Sequence, residues 1–158
     1  AVFSSDLKRA DFPARYLVDQ LRTRRKRNVE YYSLPTLKER HLGVYQGRPL
    51  AEIHSGADVN GHIFFLDEIT RGESIRTVRR RINEFDEEHL KRYYVEGGSI
   101  AIMGHEHWLS YFINLRVYGS MKAGPYMGFP SLQVTLLKTD GQRIIEFTPK
   151  IEIKLRGN

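Results

Sequence analysis

The stretch Leu132-Gln133-Val134-Thr135-Leu136-Leu137-Lys138-Thr139-Asp140-Gly141-Gln142-Arg143-Ile144-Ile145-Glu146-Phe147-Thr148 decides the predicted fold. It holds two runs of strand-forming residues, Leu132 to Lys138 and Gln142 to Thr148. Between them, Thr139-Asp140-Gly141-Gln142 contains the Asp-Gly pair that is typical of a tight hairpin turn. The next run, Lys150 to Arg156, alternates charged and apolar residues, so one face of it suits a core. The end of the chain is therefore predicted to be antiparallel β-structure.

Further short strand-like runs occur upstream, separated by turn residues. They are Val29 to Tyr32, Leu42 to Tyr45, Leu50 to Ile53, His62 to Leu66, Ser99 to Met103 and Trp108 to Val117. About eight strands with a helical insertion predict a mainly β (α+β) fold, an antiparallel β-sandwich or jelly-roll-like barrel.

Two helices are predicted beside these strands. In the first, Asp11 is a candidate N-cap and Pro13 suits the first turn. An apolar stripe follows at helical spacing: Ala14, Leu17, Val18 and Leu21. Residues 1–12 are expected to form a loose arm.

The second predicted helix begins after Ser74, a candidate N-cap, and ends by Gly97-Gly98. Its apolar stripe is Ile75, Val78, Ile82 and Phe85. These elements predict an N-terminal arm and basic helix at residues 1–28. A β-rich domain is predicted over 29–158, with the helical insertion at about 74–96.

Composition limits the classes of function. The chain of 158 residues has a net charge of +6 and no cysteine, which excludes disulfides, thiolate metal sites and cysteine nucleophiles. No apolar run approaches the roughly 20 residues that span a bilayer, and the start does not resemble a signal peptide. We therefore expect a soluble intracellular protein, and no cofactor is predicted.

Basic residues are concentrated in two clusters, which suggests an anionic partner. The predicted nucleic-acid-binding residues are Arg22, Arg24, Arg25, Lys26 and Arg27 in the first cluster and Arg76, Arg79, Arg80 and Arg81 in the second. The forked donors of arginine match phosphate oxygens. The alternative is that the first cluster is a solvated helix end, where the helix dipole favours cations.

His105-Glu106-His107 is a candidate metal site of low probability. In a strand, the imidazoles of His105 and His107 would share a face and could hold a metal. Gly104 before them suggests a turn instead, in which case they are exposed loop histidines beside Trp108. A histidine pair of this kind could also act as a charge sensor near neutral pH.

Two acidic motifs could also support chemistry. Glu152-Ile153-Lys154 has the Glu-x-Lys pattern of metal-dependent nucleases, with Asp140 as the nearest further acid, but alternating charges on an exposed strand give the same pattern. Asp67-Glu68 ends an apolar run and could supply a carboxylate, although no base or nucleophile accompanies it. An enzyme is therefore not the predicted class.

The segment from 62 to 138 resembles the movement-protein superfamily of plant viruses typified by tobamoviruses. The resemblance lies in a hydrophobic strand that ends in an aspartate, followed by later strands with a glycine in their connection. The matching segments are Phe64-Phe65-Leu66-Asp67, Ile113-Asn114-Leu115, Met121-Lys122-Ala123-Gly124 and Ser131-Leu132. Jelly-roll viral coat proteins, with a basic arm before a β-barrel, are similar too. The resemblance implies non-sequence-specific binding of single-stranded nucleic acid, self-association and a location in the host cytoplasm.

We thus predict a non-enzymatic viral movement- or coat-type protein. Its expected partners are single-stranded nucleic acid and further copies of itself. A second hypothesis is a peripheral membrane or matrix-like assembly protein, whose arginines would meet an anionic membrane surface. A third is a metal-dependent nuclease that uses His105, His107 or Glu152 with Lys154.

Overall fold

The computed structural model describes residues 1–26, 28–49, 66–93 and 100–124, together with the backbone of 133–139 and 144–152. Its strands are β1 (Val2–Ser5), β2 (Tyr31–Leu34), β3 (Ala101–Met103), β4 (Gln133–Thr139) and β5 (Ile144–Glu152). Its longer helices are α1 (Lys8–Arg24), α2 (Ile75–Phe85) and α3 (Glu106–Tyr118).

A three-stranded parallel sheet positions the rest of the described structure. Its strand order is β2-β1-β3, so β1 is the central strand. Val2 lies opposite Tyr31 on one side and opposite Ala101 on the other. Because all three strands run in the same direction, their carboxyl ends lie at one edge of the sheet.

Both faces of β1 are covered, as expected for a parallel sheet. Val2 belongs to a small core that it shares with Ala14 and Val18 of α1. Phe3 faces the larger core and packs against the ring of Phe85, at a centroid distance of 5.3 Å. The strand is therefore buried at every position.

An aromatic cluster joins α2 and α3 within the larger core. The Phe85 and Trp108 rings meet edge to face with centroids 5.6 Å apart, and Trp108 stacks on Phe112 at 5.3 Å. Such pairs contribute about 0.5–1.5 kcal/mol each beyond the burial of their area.

The predicted antiparallel β-sandwich or jelly-roll-like barrel of about eight strands is wrong. Residues 1–12, expected to be a loose arm, contain the central strand β1 and the start of α1. The run from Trp108 to Val117, expected to be a strand, belongs to α3. This helix carries apolar side chains on nearly every face. Its sequence therefore lacks the 3.6-residue periodicity that distinguishes an amphipathic helix from a buried strand. The chain folds as a small α/β structure with a parallel sheet.

Other predicted elements agree with the structure or shift locally. Ser74 caps α2, its Oγ accepting a hydrogen bond from the Thr77 N–H at 3.2 Å. The whole predicted stripe of α2 is buried. Strands β4 and β5 pair antiparallel, in accord with the hairpin prediction. In place of the strand predicted from Leu42 to Tyr45, Gly43–Tyr45 forms a short 3-10 turn.

The first helix begins earlier than predicted. Leu7 occupies the N-cap position, so Asp11 and Pro13 lie inside α1 rather than before it. Asp11 instead accepts a hydrogen bond from Arg15 one turn later, at 2.7 Å. The predicted stripe is confirmed, since Ala14 and Val18 are buried with Leu17 and Leu21 packed around them.

Several predictions fall outside the described residues or stay untested. The turn at 140–143, the end of the last strand after Glu152, the runs at 50–53 and 62–65 and the glycines at 97 and 98 lie outside what the structure describes. The division into residues 1–28 and 29–158 stays a prediction. Of the helices that the structure describes, none combines the length and the apolar content needed to cross a membrane.

Candidate active site

The carboxyl edge of the parallel sheet brings together residues that are far apart in sequence. In open α/β sheets, ligands bind outside the carboxyl ends of the strands. Arg9 lies in the first turn of α1, shortly after β1, and His105 follows β3 directly before α3. The Arg9 Nε–H donates to His105 Nδ1 at 3.2 Å.

The ring of His105 is fixed from both sides. Because Nδ1 accepts from Arg9, Nε2 carries the proton and donates to Ser5 Oγ at 2.9 Å. Ser5, the last residue of β1, also accepts from the Leu7 N–H at 3.3 Å. The imidazole is 7% exposed, so its orientation is set by these two bonds and by packing.

Burial lowers the pKa of His105, and the positive charge of Arg9 lowers it further, against the opposing effect of Glu39 and Asp6. The imidazole is therefore neutral at neutral pH, with one acceptor and one donor nitrogen.

Arg9 differs from two partly buried arginines, Arg81 and Arg116, in its partners. Arg81 and Arg116 form ion pairs with carboxylates, at 2.7 and 2.8 Å. Within the described residues, no carboxylate lies within 4 Å of the Arg9 guanidinium, and its terminal nitrogens make no hydrogen bond there. Arg9 is exposed. A permanent cation placed in this way against a neutral imidazole favours an anionic ligand.

Glu39 orders the start of α3 beside this pair. Its Oε2 accepts from the His107 N–H at 3.3 Å, and its Oε1 accepts from the Trp108 N–H at 3.2 Å. The carboxylate thus satisfies two of the free N–H groups at the positive end of the helix. His105 occupies the N-cap position of the same helix, so Glu39 helps to hold it in place.

Burial raises the pKa of Glu39, but hydrogen bonds and charge from His107, with the backbone N–H groups of Arg40 and His107, outweigh burial and leave it lowered. His107 Nδ1 lies 3.7 Å from the carboxylate. Glu39 is therefore ionised at neutral pH.

A second layer of arginines holds the Glu39 segment in position. Arg40, 1% exposed, donates to the carbonyl of Glu73 at 2.8 Å and to the Tyr111 hydroxyl at 2.7 Å. Arg81 donates to the carbonyls of Thr36 and Lys38, both at 2.8 Å. These bonds tie the chain after β2 to the segment around α2.

The predicted histidine site takes a different form. His105 and His107 are buried rather than exposed, and they flank the start of a helix instead of sharing a strand face. In the described part of the chain, no group of three or more histidine, aspartate or glutamate residues could hold a metal ion. Glu152 ends β5, while Lys154 and Asp140 lie outside the described residues. Asp67 is exposed and pairs with Lys122 at 2.9 Å.

The basic clusters lie on two helices. Arg22, Arg24, Arg25 and Lys26 lie at the end of α1 and are exposed, and Arg27 falls outside the described residues. Arg22 donates to the carbonyl of Val29. On α2, Arg76, Arg79 and Arg80 are exposed, whereas Arg81 is engaged by Glu73. Neither cluster makes a contact with the Arg9–His105 pair that the structure describes, although the charge of Arg81 is one of the smaller influences that lower the pKa of His105.

Sequence reasoning missed Arg9, Ser5 and Glu39 as site residues. Arg9 fell in the expected loose arm, and Glu39 lay in a segment without a motif. The available signal was that Arg9 and His105 each follow a short apolar run closely. It could be recognised only once the two runs were known to be neighbouring parallel strands.

Comparisons with known proteins agree with this architecture. A model of the histidine phosphatase superfamily (branch 1) matches residues 1–147. No curated protein sequence matches the chain.

Among solved structures, the chain is similar to YhfR of Bacillus stearothermophilus, with 24% identity and a TM-score of 0.63. That match covers 91% of this chain and 70% of the other. It is also similar to a mycobacterial glucosyl-3-phosphoglycerate phosphatase, with 20% identity and a TM-score of 0.65 over 96% of this chain and 76% of the other. At these identities the structures support the fold alone.

These matches correct the predicted function. The resemblance to viral movement and coat proteins is wrong, because the family match spans almost the whole chain and belongs to phosphatases. The non-enzymatic, nucleic-acid-binding function is wrong for the same reason, and neither the matrix-like nor the nuclease alternative gains support. The chain belongs to the histidine phosphatase superfamily, branch 1.

Proposed function

We propose that this protein binds phosphate monoesters at the carboxyl edge of its parallel sheet and takes part in their hydrolysis. The observation that carries the proposal is the contact of Arg9, which has no carboxylate partner in the described residues, with the neutral imidazole of His105 at 3.2 Å.

Arg9 would bind the phosphate group. An arginine guanidinium combines a positive charge with several N–H donors in one plane. The two terminal nitrogens can donate paired hydrogen bonds to two phosphate oxygens. Such charge-assisted hydrogen bonds are roughly twice as strong as hydrogen bonds between neutral groups. Nothing in the described site competes for these nitrogens.

His105 would exchange a proton with the bound ester. Hydrolysis forms a bond from a water oxygen to phosphorus and breaks the bond between phosphorus and the ester oxygen. His105 would take one proton of that water at Nδ1, the nitrogen that accepts from Arg9, as the Arg9 N–H gives way to it, and would pass this proton to the departing ester oxygen. The lowered pKa keeps the imidazole neutral and therefore able to accept the proton. Ser5 Oγ keeps the imidazole's own proton on Nε2.

Glu39 acts as a positioning residue in this proposal. It binds the N–H groups of His107 and Trp108, the first residues after His105 and Glu106. The capping carboxylate also offsets part of the positive end of α3. Phosphate affinity then depends mainly on Arg9.

The proposal is tested with inorganic phosphate and p-nitrophenyl phosphate. We expect inorganic phosphate to bind in isothermal titration calorimetry, and Arg9→Gln to weaken binding by tenfold or more, about the effect of losing a charge-assisted hydrogen bond. His105→Asn should lower the rate of p-nitrophenyl phosphate hydrolysis. The matched control, Arg24→Gln, removes an exposed arginine from the other end of the same helix and should change neither quantity. Equal phosphate affinity in the wild type and Arg9→Gln would overturn the proposal.

The proposed function tests neither of two further predictions from the sequence, self-association and an intracellular location. Self-association stays a prediction. An intracellular location likewise stays a proposal, supported by a sequence without cysteine.

A further inference from the structure

Two large aromatic side chains are exposed one helical turn apart on α1. Phe12 is 79% exposed and Tyr16 is 65% exposed. The other large apolar residues exposed in the described structure, Val44, Ile100 and Tyr118, range from 37% to 46%. Single exposed apolar residues are common on protein surfaces, whereas two adjacent exposed aromatic rings are typical of a binding surface.

The aromatic pair lies on the same side of α1 as Arg9. At about 100° per residue, Tyr16 projects within roughly 20° of Arg9 and Phe12 within roughly 60°. Phe12 lies about 4.5 Å and Tyr16 about 10.5 Å along the helix axis from Arg9. The pair is therefore continuous with the proposed phosphate-binding end of the helix.

The direction of helical side chains brings the rings closer to the site. Long side chains on a helix lean toward its N-terminus and cover the preceding turn. The turn before Phe12 begins at Lys8 and includes Arg9. With this tendency, the Phe12 ring would lean toward the turn that holds Arg9, and the Tyr16 ring toward the turn that holds Phe12.

The adjacent carboxylate, Asp11, is ionised and bound by neighbouring donors. Asp11 accepts hydrogen bonds from Arg15, Tyr31 and Ser33, and these bonds lower its pKa to about 2. Arg15 also lies over the Tyr31 ring, at 5.3 Å from its centroid. The charges of Asp11 and Arg15, which directly precede the two aromatic residues in sequence, are therefore engaged with each other, and the two rings offer apolar contact area.

We propose that Phe12 and Tyr16 bind the organic group of the substrate, so that the site prefers phosphate esters of aromatic or extended apolar alcohols. This inference rests on the proposed function, because Arg9 must first anchor the phosphate. Phosphate bound at Arg9 would place the ester oxygen beside the aromatic pair, and an apolar group attached there would cover both rings.

The experiment compares the affinities of inorganic phosphate, glycerol 2-phosphate and phenyl phosphate by calorimetry. We expect the wild type to bind phenyl phosphate about tenfold more tightly than glycerol 2-phosphate, as two aromatic contacts allow. Phe12→Ala combined with Tyr16→Ala should remove that preference and leave the affinity for inorganic phosphate unchanged. Tyr118→Ala is the matched control, because it removes an exposed aromatic ring from the end of α3 and should keep the preference.

The outcomes separate the two proposals. If inorganic phosphate binds but phenyl phosphate has no advantage, or if the double variant keeps the advantage, the aromatic subsite is overturned and the proposed function stands. If no phosphate compound binds the wild type, the proposed function fails and the subsite fails with it. Thermal unfolding of each variant establishes that the exposed substitutions leave the fold intact.

Discussion

Arg81 and Glu73 form a two-pronged ion pair, with Nε to Oε1 at 2.8 Å and Nη2 to Oε2 at 2.7 Å. Both side chains are largely buried, at 15% and 14% exposure. The third nitrogen of Arg81 binds two backbone carbonyls of the segment before Glu39. One arginine therefore fixes both α2 and the segment that leads to the site.

Arg81→Gln is expected to lower the free energy of unfolding by about 3 kcal/mol, because it leaves the buried Glu73 carboxylate without its charged partner. Chemical denaturation measures this change. Arg80→Gln is the matched control: Arg80 is 71% exposed with a 3.7 Å contact to Glu84, and its loss should cost less than about 0.5 kcal/mol. Similar losses in the free energy of unfolding for the two variants would show that the Arg81–Glu73 ion pair stabilises the fold no more than an exposed contact does.

Removal of the Glu39 carboxylate should uncap α3. Glu39→Ala leaves the N–H groups of His107 and Trp108 without their acceptor, and we expect a loss of about 2 kcal/mol in the free energy of unfolding. Glu84→Ala, which removes a half-buried carboxylate whose ion pair with Arg80 spans 3.7 Å, serves for comparison and should cost much less.

The contribution of Glu39 depends on pH with a defined sign. Its pKa in the folded protein lies below the ordinary value of 4.5, so its stabilisation is present above pH 4.5 and is lost as the pH falls through the folded value. The stability difference between the wild type and Glu39→Ala should therefore shrink below pH 4.5. A difference that does not change with acidification would contradict this assignment.

His105 should make the fold sensitive to mild acid. Its pKa in the folded protein lies below the ordinary value of 6.5, so the unfolded chain binds more protons between the two values. Stability should consequently fall as the pH drops below 6.5. Denaturation between pH 5 and 7.5 should show a shallower dependence of stability on pH in His105→Asn than in the wild type.

Gly43 and Gly47 offer a test of close packing near α2. Both have positive φ, at +53° and +77°. A Cβ at Gly43 would overlap the backbone of Thr70, Arg71 and Gly72, whereas one at Gly47 would meet nothing within 4 Å.

Gly47→Ala should therefore cost only the strain of a left-handed conformation, about 1 kcal/mol in the free energy of unfolding. Gly43→Ala should cost roughly 3 kcal/mol or more, because the backbone must also move. Comparable denaturation midpoints for the two variants would contradict the close approach seen at Gly43.

The sequence predicted those elements whose signal is local. Ser74 and the stripe of α2 were found because N-caps and helical periodicity act over a few residues. The stripe of α1 and the pairing of β4 with β5 were found in the same way.

The parallel sheet could not be found by such means. Val2–Ser5 is only four residues long and carries two serines, and it becomes a strand because partners near residues 31 and 101 cover its edges. The site depends on that pairing. His105 had the right residue type but no visible partner, since Arg9 lies 96 positions away. Both basic clusters were visible, yet charge density alone does not separate an arginine held in an ion pair, such as Arg81, from one without a carboxylate partner in the described residues, such as Arg9.

The central position of β1 has a consequence for how the protein folds. Its partner β3 lies almost a hundred positions later, and closing so long a loop before any contact is gained is slow compared with forming local helices. During synthesis, β1 leaves the ribosome before β3 and must wait for it before the described three-stranded sheet can form. The Arg9–His105 contact exists only after that step, so phosphate binding would report when β1 has paired with β3.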